Sequence, residues 1–466
     1  MTHPRKWGSP KHSDLKRQVA KQPSGSEHKT KATPARHLAL EVLAQIRKRD
    51  AYAQPLIDAQ VRNADIPQEE RDFAALLIQG VLACLGELDC IIDRAVTQGT
   101  RVRPKMRDAF RISVYELIFL HKESYCVVSQ GVELARSIDP YAAGFANKTL
   151  RTITRFGADF PFGDPGSDLE ALAHQEAFPL WLADRLVADL GWSQATEFMT
   201  ASNLPAPLFV IELVQGTVHC VVPAELPVWL PRIEAGECII ADASVQEVVL
   251  RALPPALPVS PAGHVAAPTA PTGLPFLEVG SGRGTKTVLL QHNALRLHGQ
   301  QMPLFALDLH AFKQDILQER IKAYRLETVT PLVGDATRLE GIVATGQLPR
   351  LFGAALIDAP CSGTGTLRRR PEIRWRLAPE KVTAMAAQGL AMLKEVACHI
   401  GPGGQVVYST CSVLNEENEQ VVEAFLASKE GDAFALEPEG QPFRPPLVPG
   451  SPDAHFAARL VRRQVP

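Results

Sequence analysis

The sequence predicts an all-helical domain near the N-terminus, followed by an α/β domain built on a doubly wound, mostly parallel sheet. From Ala35 to about residue 154, apolar side chains recur three and four positions apart, which is typical of helices that bury one face. Beyond residue 275, short apolar runs alternate with helical patterns, as expected of parallel strands joined by helices. Two Pro-rich stretches, 155–168 and 252–273, separate or interrupt these regions.

The composition is that of an ordinary enzyme. The chain has 466 residues, 45% of them apolar, and a net charge of -2, which allows two or three packed domains and no global attraction to nucleic acid. No apolar run reaches membrane-spanning length and the N-terminus has no signal pattern, so we expect a cytoplasmic protein. The eight cysteines form no C-x-x-C pair, so we expect neither a disulfide framework nor a metal site.

The N-terminal part divides into a tail and a helical domain. Residues 1–34 are basic and polar without apolar periodicity, which predicts a disordered tail that either attracts phosphate or is simply solvated. Residues 35–160 are predicted to form the helical domain. Its helical patterns after the first lie at 70–96, 105–120, 126–137 and 141–154.

Residues 161–240 are predicted to be a connector of linker helices and a small α/β unit. Helical patterns run over Pro179 to Leu190 and Gln194 to Ala201, and three short strand-like pieces follow. The last predicted domain covers residues 241–466. Near its start it contains the Ala/Pro-rich stretch 252–273, whose composition cannot form a core. We expect a flexible insertion or surface loop there.

The last domain alternates strands and helices. Pro331 interrupts the third predicted strand, where it removes a ladder hydrogen bond, so this strand is predicted at the sheet edge. The helical patterns are 285–295, 311–325 and 379–399. The predicted strands are Phe276 to Val279, Leu304 to Leu309, Val329 to Val333, Ala354 to Ile357 and Gln405 to Tyr408.

The first strand of this domain ends in a Gly-rich turn that is typical of a nucleotide site. Glycines let the backbone approach a ligand, and the next helix offers free N–H groups. An acid follows each of the next two strands, Asp308 after one and Asp335 after the other. A carboxylate that binds the ribose of a nucleotide is expected at such a position. A purely structural turn would look similar, and a P-loop is excluded by the spacing. The G-x-G-x-G spacing behind a glutamate favours S-adenosylmethionine, with candidate ligands Glu278, Gly280, Gly282, Gly284 and Lys286.

Two later strands end in cysteines. Asp358 and Cys361 follow the fourth strand, and Cys411 follows the fifth. Methylation of cytosine at C5 needs a thiolate that adds to C6, an acid near N3 and N4 of the base, and a proton acceptor. These residues are candidates for such roles, although each cysteine by itself is more often a structural thiol.

The segments around these cysteines resemble a known family. Asp358-Ala-Pro-Cys-Ser-Gly-Thr-Gly365 and Tyr408-Ser-Thr-Cys-Ser-Val413 are similar to the NOL/NOP2/Sun family of RNA 5-methylcytosine methyltransferases. Gly144-Phe-Ala-Asn-Lys-Thr-Leu-Arg151 in the helical region resembles NusB-like RNA-binding domains. The resemblance implies a class I, Rossmann-like methyltransferase domain with S-adenosylmethionine as cofactor and no metal. It also implies that the substrate is 16S ribosomal RNA, unassembled or partly assembled, and that the protein acts as a monomer.

Residue roles follow from the matching positions. The resemblance implies that Cys411 is the nucleophile and that Cys361 helps to release the methylated product. It implies that Asp358 contacts the target base and also the cofactor. Asp308 and Asp335 are implied on the ribose and adenine side of the cofactor. The family's usual Asp-x-Cys-Ala-Ala-Pro-Gly-Gly-Lys-Thr pattern is altered at the turn, where only the Lys-Thr pair and one glycine remain.

A basic segment follows Cys361. Arginines beside a reactive site can hold RNA phosphates while the target base is unstacked, although a solvated charge run is the alternative. The candidate RNA contacts are Arg369, Arg370, Arg374 and Trp375. Two other functional hypotheses stay open at this point: a non-catalytic RNA-binding or assembly factor, and a tRNA or DNA cytosine-C5 methyltransferase.

Overall fold

The computed structural model describes residues 31–254, 274–437, 442–445 and 448–464. The predicted basic tail, apart from 31–34, and the Ala/Pro stretch from 255 onward lie outside the described residues. Within the described ranges, no single helix is long and apolar enough to cross a membrane, and one pair of helices bent by 80° meets the length and composition test only jointly.

The N-terminal part is all-helical. Its core is formed by the apolar faces predicted from periodicity, with Leu40, Leu77, Leu88 and Phe110 fully buried. The pattern predicted as one helix over 70–96 is two helices, because the chain bends at Cys84. The helices are α1 Pro34–Arg49, α2 Ala53–Leu56, α3 Gln68–Ala83, α4 Leu85–Ala95, α5 Pro104–Val114, α6 Ser124–Ile138 and α7 Ala143–Phe156.

A connecting region follows, with three helices and a small sheet. The helices pack against residues of the later cysteine-containing loops, including Leu367, Ile373 and Val413. The sheet is antiparallel with the order β2-β1-β3. The elements are α8 Leu169–Glu176, α9 Leu180–Leu190, α10 Trp192–Ser202, β1 Leu208–Glu212, β2 Val218–Val221, α11 Leu226–Glu234, β3 Cys238–Ile240 and α12 Ala243–Ala252.

The C-terminal part is a seven-stranded sheet with helices on its two faces, in the order β6-β5-β4-β7-β8-β10-β9. β6, β5, β4, β7 and β8 run parallel, and β10 and β9 are antiparallel additions. The elements are β4 Phe276–Val279, α13 Thr285–His298, β5 Leu304–Asp308, α14 Ala311–Ala323, β6 Val329–Val333, α15 Leu339–Ala344, β7 Phe352–Asp358, α16 Ile373–Arg376, α17 Pro379–Cys398, β8 Ile400–Thr410, α18 Glu419–Leu426, β9 Phe434–Leu436 and β10 Phe456–Arg462.

This architecture confirms the predicted fold class. The third strand of the domain, β6, lies at the sheet edge, as Pro331 requires. Strands β9 and β10 were not predicted. Strand β8 begins at Ile400, five residues before its predicted start at Gln405. The order of the parallel strands reverses between β4 and β7, and ligands bind in the crevice at the carboxyl ends of strands at such a point. The functional residues should therefore meet there.

Candidate active site

The Gly-rich turn after β4 adopts backbone conformations that favour glycine. Gly280, Gly282 and Gly284 have φ angles of 76°, 57° and 86°. A Cβ atom at Gly280 would lie 2.4 Å from the carbonyl oxygen of Asp358, so this residue must lack a side chain. The turn is therefore packed directly on the carboxyl end of β7, next to the cysteine loop.

Asp308, at the end of β5, lies beside this turn. Its carboxylate accepts hydrogen bonds from the backbone N–H groups of Gly282, at 3.0 Å, and His310, at 2.9 Å. Lys313 Nζ lies 3.3 Å from the same carboxylate. Burial alone raises the pKa of this carboxyl, but the N–H donors and the Lys313 charge outweigh burial and lower the pKa. A buried anion thus sits at the turn, as predicted for a ribose ligand.

Asp335, after β6, lies at the same edge of the sheet. Its carboxylate caps a short turn by accepting from the backbone N–H of Thr337, at 2.9 Å, and from the Thr337 hydroxyl, at 2.7 Å. These two hydrogen bonds lower the pKa of Asp335. The side chain is partly exposed, so it remains accessible to a ligand.

Glu278 does not lie where a cofactor ligand is needed, and this prediction is wrong. The residue is in the interior of β4, fully buried, and one carboxyl oxygen accepts from the hydroxyl of Thr287 at 2.7 Å. The other oxygen has no hydrogen-bond partner among the residues that the structure describes. Burial raises the pKa of Glu278 to about 8, because the charged form loses its hydration. The glutamate therefore braces the first turn of α13 from inside.

Lys286 and Asp358 form an ion pair in the crevice, with Nζ and Oδ2 2.7 Å apart. Burial opposes the charge on Lys286, but the Asp358 carboxylate overcomes this and raises the pKa of the lysine. Lys286 therefore stays charged. It also acts on Cys411, whose pKa it lowers.

Cys361 and Cys411 face each other at the ends of two adjacent strands, with their Sγ atoms 3.4 Å apart. The hydrogen bond between them lowers the pKa of Cys411 and raises the pKa of Cys361. The neighbouring charges act in both directions on Cys411, because the Asp358 carboxylate raises the pKa of this thiol whereas Lys286 and Arg370 lower it, and Glu417 raises the pKa of Cys361. Cys411 is thus the better thiolate.

A buried hydrogen-bond network fixes the two cysteine loops, and sequence reasoning assigned it no role. Glu417 accepts from both the backbone N–H and the hydroxyl of Ser362, each at 2.6 Å. Asn418 accepts from Thr410 at 2.6 Å and donates to the carbonyl of Ser412 at 2.9 Å. Glu417 and Asn418 belong to an Asn-Glu-Glu-Asn string over residues 415–418 that looks like a surface segment, and nothing in it signals burial.

In the basic segment the structure contradicts one predicted RNA contact, Arg374, and gives a second, Trp375, a structural contact. Arg374 is fully buried, and its guanidinium donates to Asn203 Oδ1, at 2.9 Å, and to nearby carbonyls. Its desolvation lowers the pKa to about 10. Trp375 donates its indole N–H to the carbonyl of Ala83 at 2.7 Å, and its ring covers Gly86. Both residues hold α8, α10 and the N-terminal helices against the cysteine loop; Arg374 is inaccessible to RNA, whereas Trp375 is partly exposed.

The other arginines of this segment differ in how far they are engaged. Arg369 bridges two carboxylates, of Asp453 at 2.6 Å and Asp242 at 2.8 Å. Arg368 and Arg376 also contact carboxylates. Arg370 is exposed, and among the described residues its guanidinium has neither an ion pair nor a hydrogen bond. Of the four predicted RNA contacts, Arg370 is the one whose charge remains open to a phosphate.

In the described ranges, no group of three or more His, Cys, Asp or Glu side chains is arranged to hold a metal ion. The chemistry available at the crevice is that of a thiolate, a carboxylate and a lysine. The residues also fit S-adenosylmethionine, because the Cβ-free Gly280 lets the turn lie against β7 and Asp308 presents an anion beside it.

The chain matches two family models. One, described as 16S rRNA methyltransferase RsmB/F, covers residues 271–441, and the other, the NusB family, covers 33–155. The crystal structure of PH0851 shares the fold, with a TM-score of 0.67 at 20% identity over 93% of this chain and all of that one.

Curated relatives agree with the family models. Probable ribosomal RNA small subunit methyltransferase B of Bacillus subtilis is 25% identical over 85% of this chain and 89% of the relative. Ribosomal RNA small subunit methyltransferase B of Thermus thermophilus is 30% identical over 89% of this chain and 92% of the relative. The predicted resemblance is confirmed, and the chain belongs to the ribosomal RNA small subunit methyltransferase B family, whose members methylate RNA with S-adenosylmethionine as cofactor.

Proposed function

We propose that this protein methylates C5 of a cytosine in 16S ribosomal RNA, through a covalent bond between Cys411 Sγ and C6 of the base. One observation carries the proposal: two thiols lie 3.4 Å apart at the carboxyl edge of the sheet, beside the Lys286–Asp358 ion pair. An ordinary methyl transfer to a heteroatom needs no thiol. A pair of thiols beside a base-binding carboxylate suits attack on a pyrimidine ring.

Cys411 is the nucleophile in this proposal and Cys361 the assisting thiol. The thiolate is the reactive form, so the cysteine with the lowered pKa is the better nucleophile. The hydrogen bond from Cys361 stabilises a negative charge on Cys411, with Lys286 and Arg370 offsetting the opposing Asp358 carboxylate, whereas Glu417 opposes a negative charge on Cys361. A protonated Cys361 can then donate its S–H to the Cys411 sulfur.

Each side chain has a separate task in the reaction. Addition of Cys411 to C6 makes C5 nucleophilic, and Asp358, oriented by Lys286, accepts a hydrogen bond from the amino group at C4. S-adenosylmethionine supplies the methyl group that C5 receives. A water molecule then takes the C5 proton, the C5–H electron pair re-forms the C5=C6 double bond, and the C6–S bond breaks so that Cys411 departs as a thiolate, which the Cys361 S–H stabilises. This is the step at which loss of Cys361 should trap the adduct.

The cofactor would lie against the Gly-rich turn. Asp308 can accept from two ribose hydroxyls, because two of its present donors are the partly exposed side chains of His310 and Lys313, which can move aside. Asp335 would lie on the adenine side. In this proposal Gly280, Gly282, Gly284 and Lys286 bind the cofactor as predicted, and Glu278 acts only from the interior.

The substrate assignment rests on the helical part and on the relatives' names. A NusB-type unit, for which we propose residues 35–160, would contact RNA, with 161–240 as connector and 241–466 as catalytic domain. The relatives are named for the small ribosomal subunit, and the RsmB/F description specifies 16S rRNA. We propose that a monomer acts on RNA that is not yet fully assembled with ribosomal proteins.

Nucleoside analysis tests this function. The purified protein is incubated with labelled S-adenosylmethionine and with 16S rRNA, tRNA or DNA, and the digested nucleosides are separated by mass spectrometry. We expect 5-methylcytidine from 16S rRNA alone. Label in tRNA or DNA, or on another atom, would replace the substrate or the reaction. RNA binding without measurable S-adenosylmethionine binding by calorimetry would instead support a non-catalytic assembly factor.

A further inference from the structure

An exposed aromatic ring from the helical part lies beside the basic segment of the catalytic part. Tyr52 precedes α2, and its side chain is 53% exposed. The guanidinium carbons of Arg370 and Arg376 lie 5.8 Å and 5.4 Å from the centre of the Tyr52 ring. Tyr52 lies more than 300 positions before the two arginines in the chain, so the pattern is visible only in the fold.

The backbone of Tyr52 is held in place by hydrogen bonds at the residues on either side of it. Arg376 donates to the carbonyl of Ala51 at 2.8 Å, and Glu372 accepts from the backbone N–H of Ala53 at 3.1 Å. The backbone that carries Tyr52 is therefore attached to the cysteine loop at the residues directly before and after it. A fixed, half-exposed aromatic ring costs little conformational entropy when a ligand stacks on it.

Arg370 connects this ring to the reacting thiol. Its guanidinium has no hydrogen bond or ion pair within the part of the chain that the structure describes, and its charge lowers the pKa of Cys411. An exposed guanidinium and a half-exposed aromatic ring thus lie side by side where the helical part meets the loop that carries Cys361.

We propose that Tyr52 and Arg370 form a subsite for the nucleotide next to the target cytosine: its base stacks on Tyr52, and its phosphate pairs with Arg370. The inference rests on the proposed function, since it names the RNA contact that accompanies cytosine extrusion. Taking the target base out of its stack exposes a face of the neighbouring base. Aromatic side chains restore such stacking without reading sequence.

The test compares RNA affinity across matched variants. A fluorescent single-stranded RNA oligonucleotide with one cytosine is titrated with the wild type, Tyr52→Ala, Tyr52→Phe and Tyr141→Ala. Tyr141 is the control, because it is 96% exposed on the same helical part. We expect Tyr52→Ala to weaken binding about tenfold, Tyr52→Phe to retain it, and Tyr141→Ala to leave it unchanged. Equal affinity of Tyr52→Ala and the wild type would overturn the subsite.

Two further readouts separate stacking from packing. S-adenosylmethionine affinity and the thermal midpoint should be unchanged in Tyr52→Ala; if they fall together with RNA affinity, the ring only supports the boundary and the proposal fails. A second oligonucleotide carries abasic sites on both sides of the cytosine. The wild type should bind it more weakly than it binds the intact oligonucleotide, whereas Tyr52→Ala should bind the two oligonucleotides equally. The binding assay measures RNA affinity without methyl transfer. If the wild type forms no 5-methylcytidine, the proposed function is refuted, but the subsite is still tested by RNA affinity.

Discussion

The Sγ atoms of Cys361 and Cys411 lie 3.4 Å apart, although 50 residues separate them in sequence. They meet because β7 and β8 are adjacent parallel strands whose carboxyl ends lie at the same edge. Their surroundings differ: the hydrogen bond between them lowers the pKa of Cys411 and raises that of Cys361, Lys286 and Arg370 offset the Asp358 carboxylate at Cys411, and Glu417 acts on Cys361. This asymmetry assigns different tasks to two chemically identical side chains.

Replacing Lys286 should change the pH dependence of the reaction. Lys286 lowers the pKa of Cys411, so Lys286→Gln should raise that pKa and move the acid limb of the kcat/KM profile to higher pH. The Asp358 carboxylate also loses its partner, and we expect transfer at pH 7 to fall roughly a hundredfold. Lys286→Arg, which keeps the charge, is the control. An unshifted acid limb in Lys286→Gln would show that Lys286 does not act on the nucleophile.

Glu278 should make stability depend on pH. Its pKa is raised from 4.5 to about 8, so the folded state holds a proton that the unfolded state releases. The contribution is complete below about pH 4.5 and is lost as the pH rises toward 8, so the free energy of unfolding should decline over this window by about 3–5 kcal/mol. Denaturant unfolding of Glu278→Gln, which cannot titrate, should lack this component. If the free energy of unfolding varied with pH in the same way in the wild type and in Glu278→Gln, the raised pKa of Glu278 would be contradicted.

Arg374 and Arg370 should respond in opposite ways. Arg374→Ala leaves buried carbonyls without donors, so we expect a loss of about 2–4 kcal/mol in unfolding free energy. The slope of log RNA affinity against log salt should not change. Arg370→Ala should leave stability unchanged and reduce that slope by about 0.7, the value for one phosphate contact on single-stranded RNA. A reduced slope in Arg374→Ala would restore that residue as an RNA contact.

The sequence predicted the parallel strands and the residues at their ends well, because a buried parallel strand is a continuous apolar run and its end is marked by Gly, Asp or Cys. It did not reveal β9 and β10. β9 has three residues, and β10 pairs with β8 across a separation of about 50 residues, so neither has a strong local pattern.

The errors at the site have a common physical cause. Arg374 and Trp375 occur in a basic run that looks solvated or RNA-facing. Arg374 is buried only by the packing of α8 and α10, and Trp375 is partly buried only by the docking of the N-terminal helices. Tyr52 was missed for the same reason, since its partners lie in a distant segment. Glu278 has the alternation of a strand residue, and periodicity does not reveal which face of β4 is covered by α13.

Mapping of the covalent adduct tests the central claim most directly. Cys361→Ala is incubated with S-adenosylmethionine and 16S rRNA, digested with nuclease and protease, and examined by mass spectrometry. Our account predicts a 5-methylcytosine nucleotide attached to Cys411 in this variant. It also predicts no adduct in Cys411→Ala, whose transfer rate should fall by about three orders of magnitude or more. An adduct on Cys361 that accumulates when Cys411 is replaced would reverse the two roles and contradict the account.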